Sequence, residues 1–192
     1  MRQTRFLLAL QSSQRLLEIA VTDTLAPTRE ASLAWSDALV LDLDFMDDTH
    51  REFVDLLAAV ETADDADLLS RFSALIDHTD DHFGREDRWM RDTQFSSSNC
   101  HSLQHNVVLQ VMREGLKRGT EQNDLALVRQ MAKELGIWFP QHAQSMDAAL
   151  ALHLRRVGYD ETTGQVHMPD ALPAEAIHGC GGSCSTESGQ TG

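Results

Sequence analysis

The sequence predicts an all-α fold: an up-down-up-down four-helix bundle with an N-terminal arm and a C-terminal tail. Three observations point to it. Four stretches between about residues 46 and 157 carry apolar residues at helical spacing, the breaks between them are short and polar, and histidines recur at steps of four inside them. Short connections between long helices make sequential helices antiparallel neighbours.

At 192 residues the chain fits one domain with an appendage at either end, large enough to bury a core without staples. The expected division is residues 1–33 as a weakly structured extension, 34–157 as the bundle and 158–192 as a flexible tail containing glycine and cysteine. A formal charge of −14, from 30 acidic against 16 basic residues, opposes binding to nucleic acid or an anionic membrane. The run Phe6 to Leu10 is too short for a secretory or spanning segment, so a cytoplasmic protein is expected. Three cysteines, Cys100, Cys180 and Cys184, make an odd set that does not resemble a disulfide framework and suits a reducing compartment.

The first helix is expected from about Asp48 to Val60, with Phe53, Leu56, Leu57 and Val60 on one stripe, and an acidic loop follows it. The second starts near Asp67, carries Leu68, Phe72, Leu75 and Ile76, and passes through His78, His82 and Glu86 to about Arg91. Ser98 or Asn99 offers an N-cap for a third helix from Cys100 to Arg118, ended by Gly119 and Thr120. The fourth begins near Asn123 or Asp124, carries Leu125, Val128, Met131 and Leu135, and continues past His142 to about Val157. Pro140 inside it predicts a kink, because proline lacks the backbone donor and crowds the preceding turn.

Seven of nine histidines fall within these helices. His78, His82 and Glu86 stack on one face of the second helix, about 6 Å apart per step. His101 and His105 repeat that step on the third. On the fourth, His142 and Asp147 are five apart, which turns the second side chain by about 140° in a regular helix. His50 lies on the first, beside the acidic pair Asp47 and Asp48. Each helix thus offers an imidazole, and imidazole with carboxylates that can bridge suits a dinuclear transition-metal site in a bundle core. Seven such groups are too many for one four-coordinate zinc. The bundle contains no Glu-x-x-His pair of the ferritin-like type and no His-Glu-x-x-His of a zinc protease.

Taken in order, Trp35, Asp47-Asp48-Thr49-His50, His82-x-x-x-Glu86 with Met90, His101-x-x-x-His105, and Trp138-x-x-x-His142-x-x-x-x-Asp147 resemble the hemerythrins, specifically the single-domain bacterial ones, over about Leu33 to Leu154. The resemblance implies two non-haem iron ions, oxo- or hydroxo-bridged. His101, His105 and His142 would bind one, His50 and His82 the other, and Glu86 and Asp147 would bridge them. It implies reversible dioxygen binding at the two-histidine iron, for storage, delivery or sensing, with no general base and no other cofactor. Phe53 and Leu57 are candidates to line the pocket or simply to pack.

Four features depart from the family pattern. Thr49 replaces the usual Gln before the first ligand and could alter the surroundings of His50. Pro140 could tilt the last ligand pair. His78 is an extra histidine, read as a residue behind the ligands or at a bundle end. The tail His178-Gly179-Cys180-Gly181-Gly182-Ser183-Cys184 is read as an end with incidental cysteines, and it keeps open an alternative: a factor handling nitric oxide or peroxide, or repairing iron-sulfur proteins, through those thiols. Cys100, beside His101, is read as a packing residue.

Overall fold

A computed structural model of the protein describes residues 29–95 and 100–175. The chain divides into two compact units, Met1–Glu30 and Ala31–Gly192, and the elements below all belong to the second. The expected Ser98 or Asn99 cap, the leucines of the N-terminal extension and the tail cysteines lie outside the described residues.

Four helices form the bundle: α1 (Asp44–Thr62), α2 (Leu68–Asp92), α3 (Cys100–Gln122) and α4 (Leu125–His142). The ring closes through the pairs α1–α2, α2–α3, α3–α4 and α4–α1. A widened π-helical turn, Ala143–Asp147, carries α4 directly into α5 (Ala148–Val157), so the fourth strut of the bundle is one long, interrupted helix. Among the described residues no helix is long and apolar enough to cross a membrane.

The helix ends show why these boundaries hold. α1 starts four residues before the expected Asp48, because the buried Asp47 carboxylate accepts from the Leu41 and Leu43 N–H groups (2.7 and 3.3 Å) and folds the arm onto the first turn. Before α2, the Asp64 carboxylate accepts from Ala66 and Asp67 N–H (3.0 Å each), which shapes the acidic loop. α3 does not stop at Gly119. That glycine is buried against α2 and α4, where a Cβ would come within 2.7 Å of Leu69 and 3.0 Å of Val128, so it serves close packing rather than termination. Asp124 caps α4 by accepting from Leu127 N–H at 3.2 Å. The helix runs through Pro140, and its irregularity takes the form of the π turn just beyond.

Two apolar layers fill the interior. One holds Phe53, Leu57, Val60, Phe72, Leu75, Met112, Val128 and Phe139; the other holds Met46, Trp89, Met90, Leu150, Ala151 and Leu154. Along α1, α2 and the α4–α5 strut, the candidate ligands fall between the residues of one layer and those of the other. Each full-length side chain buried in these layers contributes about 1.5–3 kcal/mol, and that packing fixes the height at which the polar layer sits. After Gly158, in the left-handed conformation (φ 61°), a small hairpin pairs Tyr159–Asp160 with Gln165–Val166, and a 3₁₀ turn spans Pro169–Ala171. Composition alone assigned this stretch to a flexible tail; the hairpin turn at Asp160, whose carboxylate accepts from Thr162 and Thr163 N–H, gives it regular structure.

Candidate metal centre

The seven predicted ligands meet in one place, all buried: His50 from α1, His82 and Glu86 from α2, His101 and His105 from α3, His142 from the end of α4 and Asp147 from the π turn. In α2 and α3 the step of four does this directly. Across the fourth strut a regular helix would have turned Asp147 well away from His142. The π turn, whose bonds run from residue i to i+5, brings residues five apart back onto one face. His142 Nε2 and Asp147 Oδ1 are 3.2 Å apart.

The two carboxylates divide their oxygens between two sets of imidazoles. Glu86 Oε1 lies 3.1 Å from His82 Nε2 and 3.9 Å from His50 Nε2, while its Oε2 lies 3.3 Å from both His101 Nε2 and His105 Nε2. Asp147 Oδ2 faces His50 Nε2 at 3.3 Å, and its Oδ1 faces His101 and His142 at 2.9 and 3.2 Å. Two ligand groups result: His101, His105 and His142 with both carboxylates, and His50 and His82 with Glu86, joined also by the Asp147–His50 approach.

These atoms converge without pairing. His50 Nε2, His101 Nε2, Glu86 Oε2 and both Asp147 oxygens have close neighbours but no aligned hydrogen bond, although buried polar groups ordinarily find one. Donor atoms aimed at shared points, with soft nitrogen and bridging oxygen in one apolar cavity, fit a pair of transition-metal cations. Without metal, the charge is balanced by protons. Burial opposes a charged imidazole, but Asp147 and Glu86 outweigh it and push His50 up to about 9 and His101 up to about 10. Burial likewise opposes ionised Glu86, yet His82, His101 and His105 hold it well below the usual carboxylate range. For Asp147, burial and Glu86 both push upward, and His142 and His101 prevail, leaving it well below its ordinary value. His82, fully enclosed, is lowered by burial.

The family model for the hemerythrin HHE cation binding domain matches residues 41–152. A bacteriohemerythrin from Ralstonia nicotianae (strain ATCC BAA-1114 / GMI1000) is 38% identical over 128 residues, which cover 67% of this chain and 93% of the relative. The chain belongs to the hemerythrin family. No solved structure matches it significantly. Membership and the buried cluster together make it an iron-binding protein.

Two of the departures from the hemerythrin pattern, Thr49 and His78, resolve into contacts between helix residues. Thr49 Oγ1 donates to the Phe45 carbonyl at 2.8 Å and does not reach His50, whose Nδ1 has no hydrogen-bond partner among the described residues. His78 is not in either ligand group; its Nε2 donates to the Thr49 carbonyl at 3.2 Å and ties α2 to α1. Trp35 lies under the Arg51 guanidinium at 4.6 Å and packs on the first apolar layer. Cys100 is exposed and disulfide-bonded, not the packing residue expected, and a bonded cysteine runs against the expectation of a fully reduced set.

Several residues of the site gave no signal of their own in the sequence. Phe139 sits one turn before His142, meets His50 edge-on at 5.1 Å and stacks on Phe53 at 4.2 Å, so Phe53 both packs and walls the two-histidine side. Leu57 is buried one turn further from His50, in the same apolar layer as Phe53 and Phe139. Phe83 stacks on His105 at 3.9 Å, Asp87 faces His105 Nδ1, and Gln104 faces His142 Nδ1. Only Phe139 had a usable clue, its helical period from His142.

Proposed function

We propose that this hemerythrin binds two iron ions and, through them, dioxygen reversibly, for storage, delivery or sensing. The observation that supports this most is the division of carboxylate oxygens: Glu86 and Asp147 each turn one oxygen to the three-histidine group and one to the two-histidine group. When bound, a ferrous pair supplies the two electrons that dioxygen needs to be held reversibly.

The chain's own residues do the rest. Glu86 and Asp147 set the spacing of the two positions and cancel part of their charge, which an apolar cavity requires. Counting the Asp147 oxygen that approaches His50, the set with two histidines is one donor short of the set with three, and Phe53 and Phe139 wall that side. An apolar wall keeps water and protons from a held ligand, the condition for release rather than irreversible oxidation.

The test is anaerobic loading with ferrous iron, metal counted per chain, and ultraviolet-visible spectra before air, after air and after deoxygenation. Two irons, with a charge-transfer band that appears with oxygen and disappears without it, are the expected result. Two irons that oxidise at once with no recoverable adduct would replace this reading with the nitric oxide, peroxide or repair one, and truncation before residue 170 would then ask whether the tail thiols are needed.

A further inference from the structure

The five imidazoles differ in what holds their outer nitrogens. In each, Nε2 points to the centre, so the proton sits on Nδ1 and needs an acceptor behind the ring. His105 Nδ1–H donates to Asp87 Oδ1 at 3.3 Å, and His142 Nδ1–H donates to Gln104 Oε1 at 3.3 Å. Both rings are also clamped by an aromatic face: Phe83 stacks on His105 at 3.9 Å and 5°, and Trp138 on His142 at 4.5 Å and 26°. Behind His50 and His82 the Nδ1 atoms have no hydrogen-bond partner among the described residues, and the same holds for His101, so two of the three rings in one group are supported and neither ring in the other. Every outer acceptor found therefore falls on the three-histidine group.

We propose that Asp87 and Gln104 are positioning residues that make the two metal positions electronically unequal, with Asp87 the stronger because it carries a full charge. A carboxylate behind an imidazole draws its Nδ1 proton outward and raises electron density at Nε2, which strengthens the metal bond and favours the higher oxidation state. Asp87 suits this task. Its side chain is 29% exposed and reaches inward to the buried ring it holds. It follows Glu86 directly, so one turn of α2 supplies both a bridging carboxylate and the support for a ligand on α3. Gln104 plays the neutral counterpart from within α3, one residue before His105, reaching across to α4. The inequality also serves the proposed oxygen chemistry, on which this inference rests: the richly supported position holds its metal firmly while the other stays free to take and lose a ligand.

The experiment uses the full chain and ferrous iron. Wild type, Asp87→Asn, Asp87→Glu and Gln104→Leu are loaded anaerobically, titrated with a competing chelator, and followed by Mössbauer spectroscopy and a midpoint-potential titration; far-ultraviolet circular dichroism monitors the fold. Asp87→Asn should weaken one of the two iron equivalents by roughly 10–100-fold, leave the other unchanged, alter one Mössbauer doublet and raise the potential. Asp87→Glu, which keeps the charge at a partly exposed site, should restore most of the loss, and Gln104→Leu should show a smaller shift in the same direction. Equal weakening of both equivalents, or no change in either with the helices intact, would overturn the proposal while leaving the di-iron reading standing. Wild type that takes up no metal pair would overturn that reading, and this one with it.

Discussion

In α2 the two centre-facing side chains, His82 and Glu86, stand four residues apart in an unbroken helix; in the fourth strut His142 and Asp147 stand five apart across a π turn. Both pairs end on the same metal layer. The first needs only the repeat of the helix, and the layers above and below it, Phe72 and Leu75 on one side and Trp89 and Met90 on the other, keep the same register throughout. The second shifts register by one residue, so α5 presents Leu150, Ala151 and Leu154 to the second apolar layer only because the extra residue has been absorbed. One helix therefore places its ligands by default, and the other by a local defect that packing on both sides must hold.

Inserting one alanine after Ser145, exposed in the π turn, tests that difference most severely. The π turn already absorbs one extra residue, and a second would rotate everything after it by about 100°. Asp147 would leave the centre, and Leu150 and Leu154 would leave the core, each core loss costing about 2–5 kcal/mol. The expected outcome is a chain that cannot hold a metal pair and melts far lower, read by metal stoichiometry and calorimetry. Deleting Ser145 instead leaves His142 and Asp147 four apart on one face of a regular helix and should keep the metal pair. If the insertion bound two metals normally, the register of the strut would not govern the site.

This contrast also explains what sequence could reveal. His78, His82 and Glu86 read as one helical face because their spacing matches the period, yet period cannot distinguish His82, a member of the centre, from His78, which serves as a tie to the Thr49 carbonyl. The pair His142 and Asp147 conflicted with regular geometry and became intelligible only through family resemblance; no residue type announces a π turn. Asp47 shows the same limit, since an acidic residue beside His50 proved to cap the helix start. Asp87 and Gln104 lie off the ligand stripe of their own helices and act across helix gaps, where a one-dimensional pattern carries no information. Phe139, by contrast, was one turn from a recognised ligand. The bundle and its seven convergent residues were legible because they follow periods, and their supports were not because they follow three-dimensional proximity.

A milder perturbation compares the imidazole partners of the two struts through pH in metal-free protein. His50 and His101 owe their raised values of about 9 and about 10 mainly to Asp147 and Glu86 prevailing over burial. Groups raised above an ordinary value of 6.5 contribute stability that is full below 6.5 and is lost as pH climbs through about 9 and 10. The depressed Glu86 and Asp147 have the opposite sign: their contribution is present above the ordinary carboxylate range and is lost as pH falls through their lowered values. The metal-free melting temperature should thus fall steadily from pH 6.5 to 10. In the metal-loaded protein the protons have been displaced, so the stabilisation by metal should grow over the same interval. A flat metal-free profile would mean that the buried carboxylates are not charge-balanced by these two histidines. In Asp147→Asn the fall should shrink, with the larger change at His50 or His101 resolved by their NMR titrations.

The smallest expected effect concerns the unbroken helix. Gly84 lies midway between His82 and Glu86 on the outer side of α2, exposed, with nothing within 4 Å of the position a Cβ would take. Glycine within a helix costs roughly 0.5–1 kcal/mol relative to alanine, chiefly through the freedom it keeps in the unfolded chain. Gly84→Ala should therefore stabilise the protein by about that amount, seen as a rise in the denaturant midpoint at constant slope, with metal affinity unchanged. If affinity fell instead, α2 would need give at this turn to seat its two ligands, and the regular helix would depend on local adjustment much as the fourth strut does.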